Sequence, residues 1–197
     1  MIEGFSLSKK DQGILLISAR ESIMSLFSGA TGPRIDYSQY PLLKFPLGAF
    51  VTLRLYEDLR GCIGYITTDM PLFDTVCETA RLSATEDPRF YPVTPEEMRD
   101  ILIEISVLSI PQPAKSYNDI VIGKHGLILN EPENRAVLLP QVALENNFTG
   151  GQFLAALCEK AGLPSNTYLE RQLRIDLFTA EVFGEKKHTS LTGGNYS

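Results

Sequence analysis

The stretch Leu59-Arg60-Gly61-Cys62-Ile63-Gly64 offers the clearest chemistry in the chain, a thiol set between two glycines with a guanidinium nearby. Glycine inside a strand forfeits side-chain packing and costs backbone entropy. Two of them around one cysteine therefore point to a bulge or to close backbone approach. In a period-two strand Arg60 falls on the same side as Cys62, where a guanidinium stabilises the thiolate, the nucleophilic form of cysteine. The same spacing also suits a small buried thiol packed as a hydrophobe beside a surface arginine. Spacing alone leaves both readings open.

Other candidates are fewer. Glu104 alternates with Leu102, Ser106 and Leu108, which makes it a half-buried carboxylate on a strand face, either an acid–base group or the partner of an arginine. His125 lies in Gly123-Lys124-His125-Gly126, a turn that presents a general base and equally suits a solvated ring. Asp87-Pro88-Arg89-Phe90 puts an acid and a base close enough to pair where a helix should end. Cys77 and Cys158 fall on the apolar stripes of helices and read as core. The G-x-S-x-G elbow, H-E-x-x-H, the Walker loop and G-x-G-x-x-G are all missing from the sequence.

Composition narrows the class. The 197 residues carry 18 Lys+Arg against 24 Asp+Glu, a net charge of −6, with no basic run beyond Lys9-Lys10 and Lys186-Lys187. Phosphate contacts dominate nucleic-acid affinity, so nucleic acid is not the expected partner. Three cysteines without a CxxC pair, and two histidines, argue against a disulfide framework, a metal site and any metal cofactor. No stretch approaches the ~20 apolar residues of a membrane span. The first residues lack the pattern of a secretory signal, and the expected compartment is the cytoplasm.

These residues need elements to hold them. Ser8-Lys9-Lys10-Asp11 has capping-box spacing, and Leu16, Ala19, Ile23 and Leu26 behind it recur at helical intervals as far as Gly29. Residues 31–46 read as a loop broken by three prolines. Residues 50–56 alternate, Glu57-Asp58 reverses the chain, and 59–67 returns as the second strand of a hairpin. A helix with Phe73, Val76, Cys77, Ala80 and Ala84 on one face ends at Asp87-Pro88. Thr94-Pro95-Glu96-Glu97 starts a short helix leading into a strong strand at 101–109. Three apolar runs at 120–122, 127–129 and 136–139 suggest an antiparallel meander. A helix at 152–161 stops at Gly162, a last strand is expected over 174–183, and the polar residues 186–197 read as a loose tail. Frequent hairpins without βαβ alternation give an α+β fold. It is expected as two lobes, a larger antiparallel sheet with helices and a smaller three-stranded lobe. The larger lobe takes residues 1–111 and 169–197, and the smaller, inserted lobe 112–168.

Taken together, the blocks resemble the AMMECR family, named for the Alport syndrome, midface hypoplasia and elliptocytosis chromosomal region. Leu59 to Gly64 is similar to its hallmark hexapeptide. Phe50-Val51-Thr52-Leu53, Asp87-Pro88-Arg89-Phe90, Pro92-Val93-Thr94 and Ile103-Glu104-Ile105-Ser106-Val107-Leu108 follow the family's order. So do Gly123-Lys124-His125-Gly126-Leu127, Leu138-Leu139-Pro140-Gln141-Val142 and Lys160-Ala161-Gly162-Leu163-Pro164. The likeness runs over 48–183. Ala49 stands where many members carry a cysteine, which removes any redox pair between that thiol and Cys62.

The resemblance implies one domain of two lobes, the larger built from both chain ends, with a cleft between them that the hexapeptide side chains face. It also implies association with a Memo-like protein or a radical S-adenosylmethionine protein. It favours Arg60, Asp87, Arg89, Glu104, His125 and Gln141 as cleft residues, with Gly61 and Gly64 allowing backbone contact. The expected function is a cleft binding a large or peptide-like ligand, with Cys62 as nucleophile, Arg60 stabilising its thiolate, and Glu104 or His125 as acid–base group. The alternative is a non-catalytic adaptor that presents the cleft to a partner protein.

Overall fold

The structure, a computed structural model, describes residues 6–56 and 58–186. Glu57 of the hairpin turn and residues 187–197, most of the polar tail and with it His188, lie outside the described residues.

Helix α1 (Lys9–Ser28) starts on the capping box read from the sequence. The Asp11 N–H donates to Ser8 Oγ at 3.1 Å, and the Ser8 N–H to Asp11 Oδ2 at 3.0 Å. Its inward face runs through Leu15, Ala19 and Ile23, all fully buried, with Leu16 and Leu26 at the margin. The expected loop contains one 3-10 turn, Pro41–Lys44. Strands β1 (Ala49–Leu55) and β2 (Asp58–Tyr65) form the hairpin, and α2 (Leu72–Thr85) follows. A second 3-10 turn (Glu97–Arg99) replaces the short helix expected after Thr94. The Glu97 carboxylate accepts the Thr94 N–H at 2.7 Å, which spends the capping signal on a single turn.

Strand β3 (Ile101–Leu108) completes the centre of the first sheet, and the two-residue β4 (Gln112–Pro113) opens the second. Then come β5 (Gly126–Asn130), β6 (Arg135–Leu138), α3 (Pro140–Glu145), α4 (Gly150–Lys160), α5 (Thr167–Glu170), β7 (Ile175–Phe178) and β8 (Ala180–Gly184). Both sheets are antiparallel, ordered β2-β1-β3-β8 and β4-β7-β5-β6. The fold is α+β with a larger sheet backed by α1 and α2, and a smaller one of three full strands plus β4, packed on α4. Two hydrophobic clusters match the two sheets.

Two further expected elements differ. The run at 120–122 is not a strand, because Ser116 and Asp119 form a capping box around a 3-10 turn (Tyr117–Asp119). The Val121 carbonyl then accepts the N–H groups of Lys124 and His125, and the backbone is spent on turns before it can pair. The single last strand is two. β7 pairs with β5 in the second sheet and β8 with β3 in the first, with Thr179 between them. Here the chain crosses back beside the outward crossing at 109–111. The Ser109 N–H donates to the Thr179 carbonyl, and the Thr179 N–H to Ser109 Oγ, both at 2.9 Å. Alternation continued across Thr179, so periodicity could not reveal a change of partner.

One strut ties α1 to the far side of the first sheet. Arg20 donates to both Glu185 carboxylate oxygens (2.8 and 2.6 Å) and to the carbonyls of Met98 (2.8 Å) and Ile101 (2.7 Å). Glu185 in turn accepts the Ile103 N–H at 2.8 Å. Arg20→Met keeps the aliphatic stem but orphans these acceptors, and is expected to cost about 2 kcal/mol. Urea unfolding reads the loss, and an unchanged midpoint would refute the strut.

Candidate functional site

Alternation along β1 sends Val51 and Leu53 into the core beneath α1 and α2, and turns Thr52 and Arg54 to the opposite face. Thr52 is the register partner of Cys62 on β2 and of Glu104 on β3. Cys62, Thr52 and Glu104 therefore form one row across three strands. Cys62 Sγ lies 3.3 Å from Thr52 Oγ1, and Glu104 lies 3.9 Å from Arg54. The thiol is half-buried.

Gly61 faces the other way, against α2. A Cβ there would lie 2.1 Å from the Ser83 carbonyl oxygen. The Ser83 hydroxyl accepts the Ile63 N–H at 2.8 Å and donates to the Val51 carbonyl at 2.7 Å, which clamps α2 onto both strands. Gly64 lies under the Phe50 ring, 2.3 Å from where its Cβ would stand. Both glycines thus serve close packing within the fold.

Strand β2 is a sheet edge, and its backbone at Cys62 is covered from outside by the Asp87-Pro88-Arg89-Phe90 turn. The Asp87 carboxylate, 4% exposed, accepts the Cys62 N–H at 2.8 Å, the Arg89 N–H at 3.1 Å, and Nε and Nη2 of Arg89 at 2.9 and 2.6 Å. The Arg89 guanidinium foremost, then the backbone donors, hold the Asp87 carboxyl far below the usual carboxylate range. Arg89 is in turn held more firmly charged, by Asp87 first and with a smaller contribution from Cys62. Its Nη2 lies 3.5 Å from the Cys62 carbonyl.

Arg60 is turned elsewhere. The register slips between Leu53 and Arg54, so Gly61 pairs with Leu53, Leu59 with Arg54, and Arg60 is the unpaired residue of a bulge. Its guanidinium donates to both oxygens of Glu97 and to the carbonyls of Tyr91 and Pro92. Arg60 keeps Glu97 ionised below its ordinary range and pins the loop that carries Tyr91, a residue 91% exposed. The guanidinium that reaches Cys62 is that of Arg89, at the Cys62 carbonyl, and Phe90 carries a guanidinium over its ring from each arginine, at 5.5 Å (Arg89) and 5.9 Å (Arg60).

The remaining candidates lie apart from this row. His125 Nδ1 sits 3.0 Å from the Asp119 carbonyl and 3.2 Å from the Val121 N–H, in the wall of a hollow of about 240 Å³ with Gln112 and Leu177. Gln141 is on α3, against the second sheet. No hydrogen bond among the described residues joins either to Cys62.

A hollow of about 500 Å³ opens where Ile66, Thr67, Ile110 and Pro111 meet Ile128 and Val137 of the second sheet. The hexapeptide stops just short of it. Another hollow, about 690 Å³, lies between α1 and α2 on the helical side and is lined by Asp74, Glu78, Arg81 and Cys77. Burial pushes the Cys77 thiol up to about 11, and burial also raises that of Cys158, so neither suits nucleophilic work at neutral pH. The described residues hold no cluster of three or more metal-ligating side chains, and none of their helices is long and apolar enough to cross a membrane.

The order of these blocks along the chain is that of a known family. The AMMECR1 family model matches residues 16–183. The chain belongs to the AMMECR1 family. A protein of Methanothermobacter thermautotrophicus is 38% identical over 183 residues, covering 89% of this chain and 95% of its own. One from Methanococcus aeolicus is 42% identical over 153 residues, covering 74% and 77%. The crystal structure of the uncharacterized protein PH0010 from Pyrococcus horikoshii superposes with a TM-score of 0.84 at 35% identity, covering 92% of this chain and 95% of that one. The fold is thus shared over nearly the whole chain.

Proposed function

We propose that this AMMECR1-family chain binds a large or peptide-like ligand at the β2 edge and acts on it through the Cys62 thiol. The observation that carries the reading is the row Cys62–Thr52–Glu104, a thiol, a hydroxyl and a carboxylate on neighbouring strands. Glu104 is the acid–base group, reaching the thiol through the Thr52 hydroxyl. Opposite side chains on paired strands stand about 5 Å apart, a spacing that suits such a relay.

Ligand size follows from distance. From Cys62 to Ile66 is four residues, roughly 13 Å along a strand, so a ligand touching both the thiol and the hollow between the sheets has the length of a short peptide. His125 and Gln141 belong to the second sheet's side and would meet such a ligand, if at all, at its far end.

A second reading is favoured by Tyr91. An almost fully exposed tyrosine on a loop pinned by Arg60 has the character of a protein-contact anchor. In that reading the chain is an adaptor in the cytoplasm for a Memo-like or radical S-adenosylmethionine protein, and Cys62 is packing.

Alkylation of the folded protein by iodoacetamide, followed by peptide mapping, separates the two. Cys62 is expected to be modified at least about ten-fold faster than the fully buried Cys158, because attack requires an accessible thiolate. A Cys62 that stays unmodified until the chain unfolds removes the thiol-dependent reading and leaves the adaptor.

A further inference from the structure

We propose that Arg89 is the specificity residue of the Cys62 site, and that the group it takes is a carboxylate carried by the ligand. The inference rests on the reading of Cys62 as a reactive thiol and adds the ligand's charge to it.

Arg60 within the hexapeptide and Arg89 outside it are set apart by their hydrogen bonding. Arg60, with a side chain 15% exposed, spends Nε, Nη1 and Nη2 on Glu97, Tyr91 and Pro92, and no face of it is left for a ligand. Arg89 uses only its Nε and Nη2 edge, on Asp87 and the Cys62 carbonyl. No group among the described residues hydrogen-bonds its Nη1, and the side chain is 53% exposed.

The buried half of this pair is already complete. Asp87 accepts from four donors, one of them the Cys62 N–H, so its charge is turned inward and the guanidinium end faces out. The pair as a whole is neutral and oriented, positive toward solvent and beside the thiol. The guanidinium cannot swing away without breaking two charge-assisted bonds, so the donor is held in place before a ligand arrives. The free Nη1 carries two N–H donors, enough to hold a carboxylate end-on. A phosphate dianion would be repelled by the Asp87 charge behind Arg89 about twice as strongly as a carboxylate monoanion. A peptide-like ligand carries carboxylates at its C-terminus and on acidic side chains.

The test compares two alkylating probes of nearly equal size, iodoacetate and iodoacetamide, on folded full-length protein at low salt. In each case the Cys62 thiolate displaces iodide and forms one S–C bond, so the thiolate fraction cancels in the ratio of rates. The iodoacetate-to-iodoacetamide ratio at Cys62 is expected to exceed that of 2-mercaptoethanol by about five-fold, the factor one contact between unit charges supplies in water. The excess should shrink in high salt. Arg89→Gln should return the ratio to the reference value, and Arg89→Lys should keep part of the excess. The wild-type ratio needs no variant to fold. A ratio equal to the reference, with Cys62 reactive, overturns the Arg89 proposal and leaves the thiol reading intact. A Cys62 inert to both probes overturns the thiol reading, and the Arg89 proposal with it.

Discussion

Gly61→Ala is expected to destabilise the folded chain by about 3 kcal/mol, a large loss for a single added methyl group. The added carbon would sit 2.1 Å from the backbone oxygen of Ser83 and 3.2 Å from its carbonyl carbon, so no side-chain rotation relieves it. Helix α2 has no free retreat either, because the Ser83 hydroxyl bridges Ile63 and Val51 of the two strands. Either that bridge breaks or β2 shifts outward, and the latter pulls the Cys62 N–H off Asp87. Gly150→Ala is the control. It lies in the first turn of α4 with open space around it, and a small gain in helix propensity is expected. Urea unfolding of both variants gives the comparison, and a Gly61→Ala midpoint within error of wild type would show that the close approach carries no cost.

Asp87→Ala is the second large effect, a loss of about 2–3 kcal/mol, since the Cys62 N–H loses a charged acceptor and Arg89 its anchor. The same carboxylate gives a pH dependence with a definite sign. Its folded pKa lies below its unfolded one, so the stabilisation is complete above the unfolded value, about 3.9, and is lost as pH falls from there toward the folded value. Wild type should therefore lose stability on acidification below about pH 4 more steeply than Asp87→Asn, compared by thermal melts across that range. Parallel curves would remove Asp87 from the account.

Much of the scaffold was legible because local signals agreed with tertiary ones. The Ser8–Asp11 box, the alternation of β1 and β3, and the apolar face of α2 each state one structure in a few neighbouring residues. The errors arose where a backbone group had two possible partners. The run at 120–122 has strand composition but follows a capped turn and closes a second turn on its own Val121 carbonyl, and β7 and β8 share one alternation across two sheets.

The site was legible in part. Two glycines beside a cysteine were a real cost that the sequence had to justify, and Asp87-Pro88-Arg89-Phe90 stood out as a unit. Period two placed Arg60 beside the thiol, but a bulge cancels that parity at Arg60 itself, and no residue type near position 60 marks where the extra residue enters. The partnership of Asp87 with Cys62 spans 25 positions and depends on how α2 returns to the sheet edge, which no window of sequence contains.

The two crossings at Ser109 and Thr179 have a mechanical consequence. Because they run side by side and are hydrogen-bonded to each other, the two sheets are joined by one narrow two-stranded isthmus. Torque on one half reaches the other through that ribbon, and Ile110 and Pro111, which wall the hollow, are part of it. A twist of one sheet against the other about that ribbon would therefore change the width of the hollow.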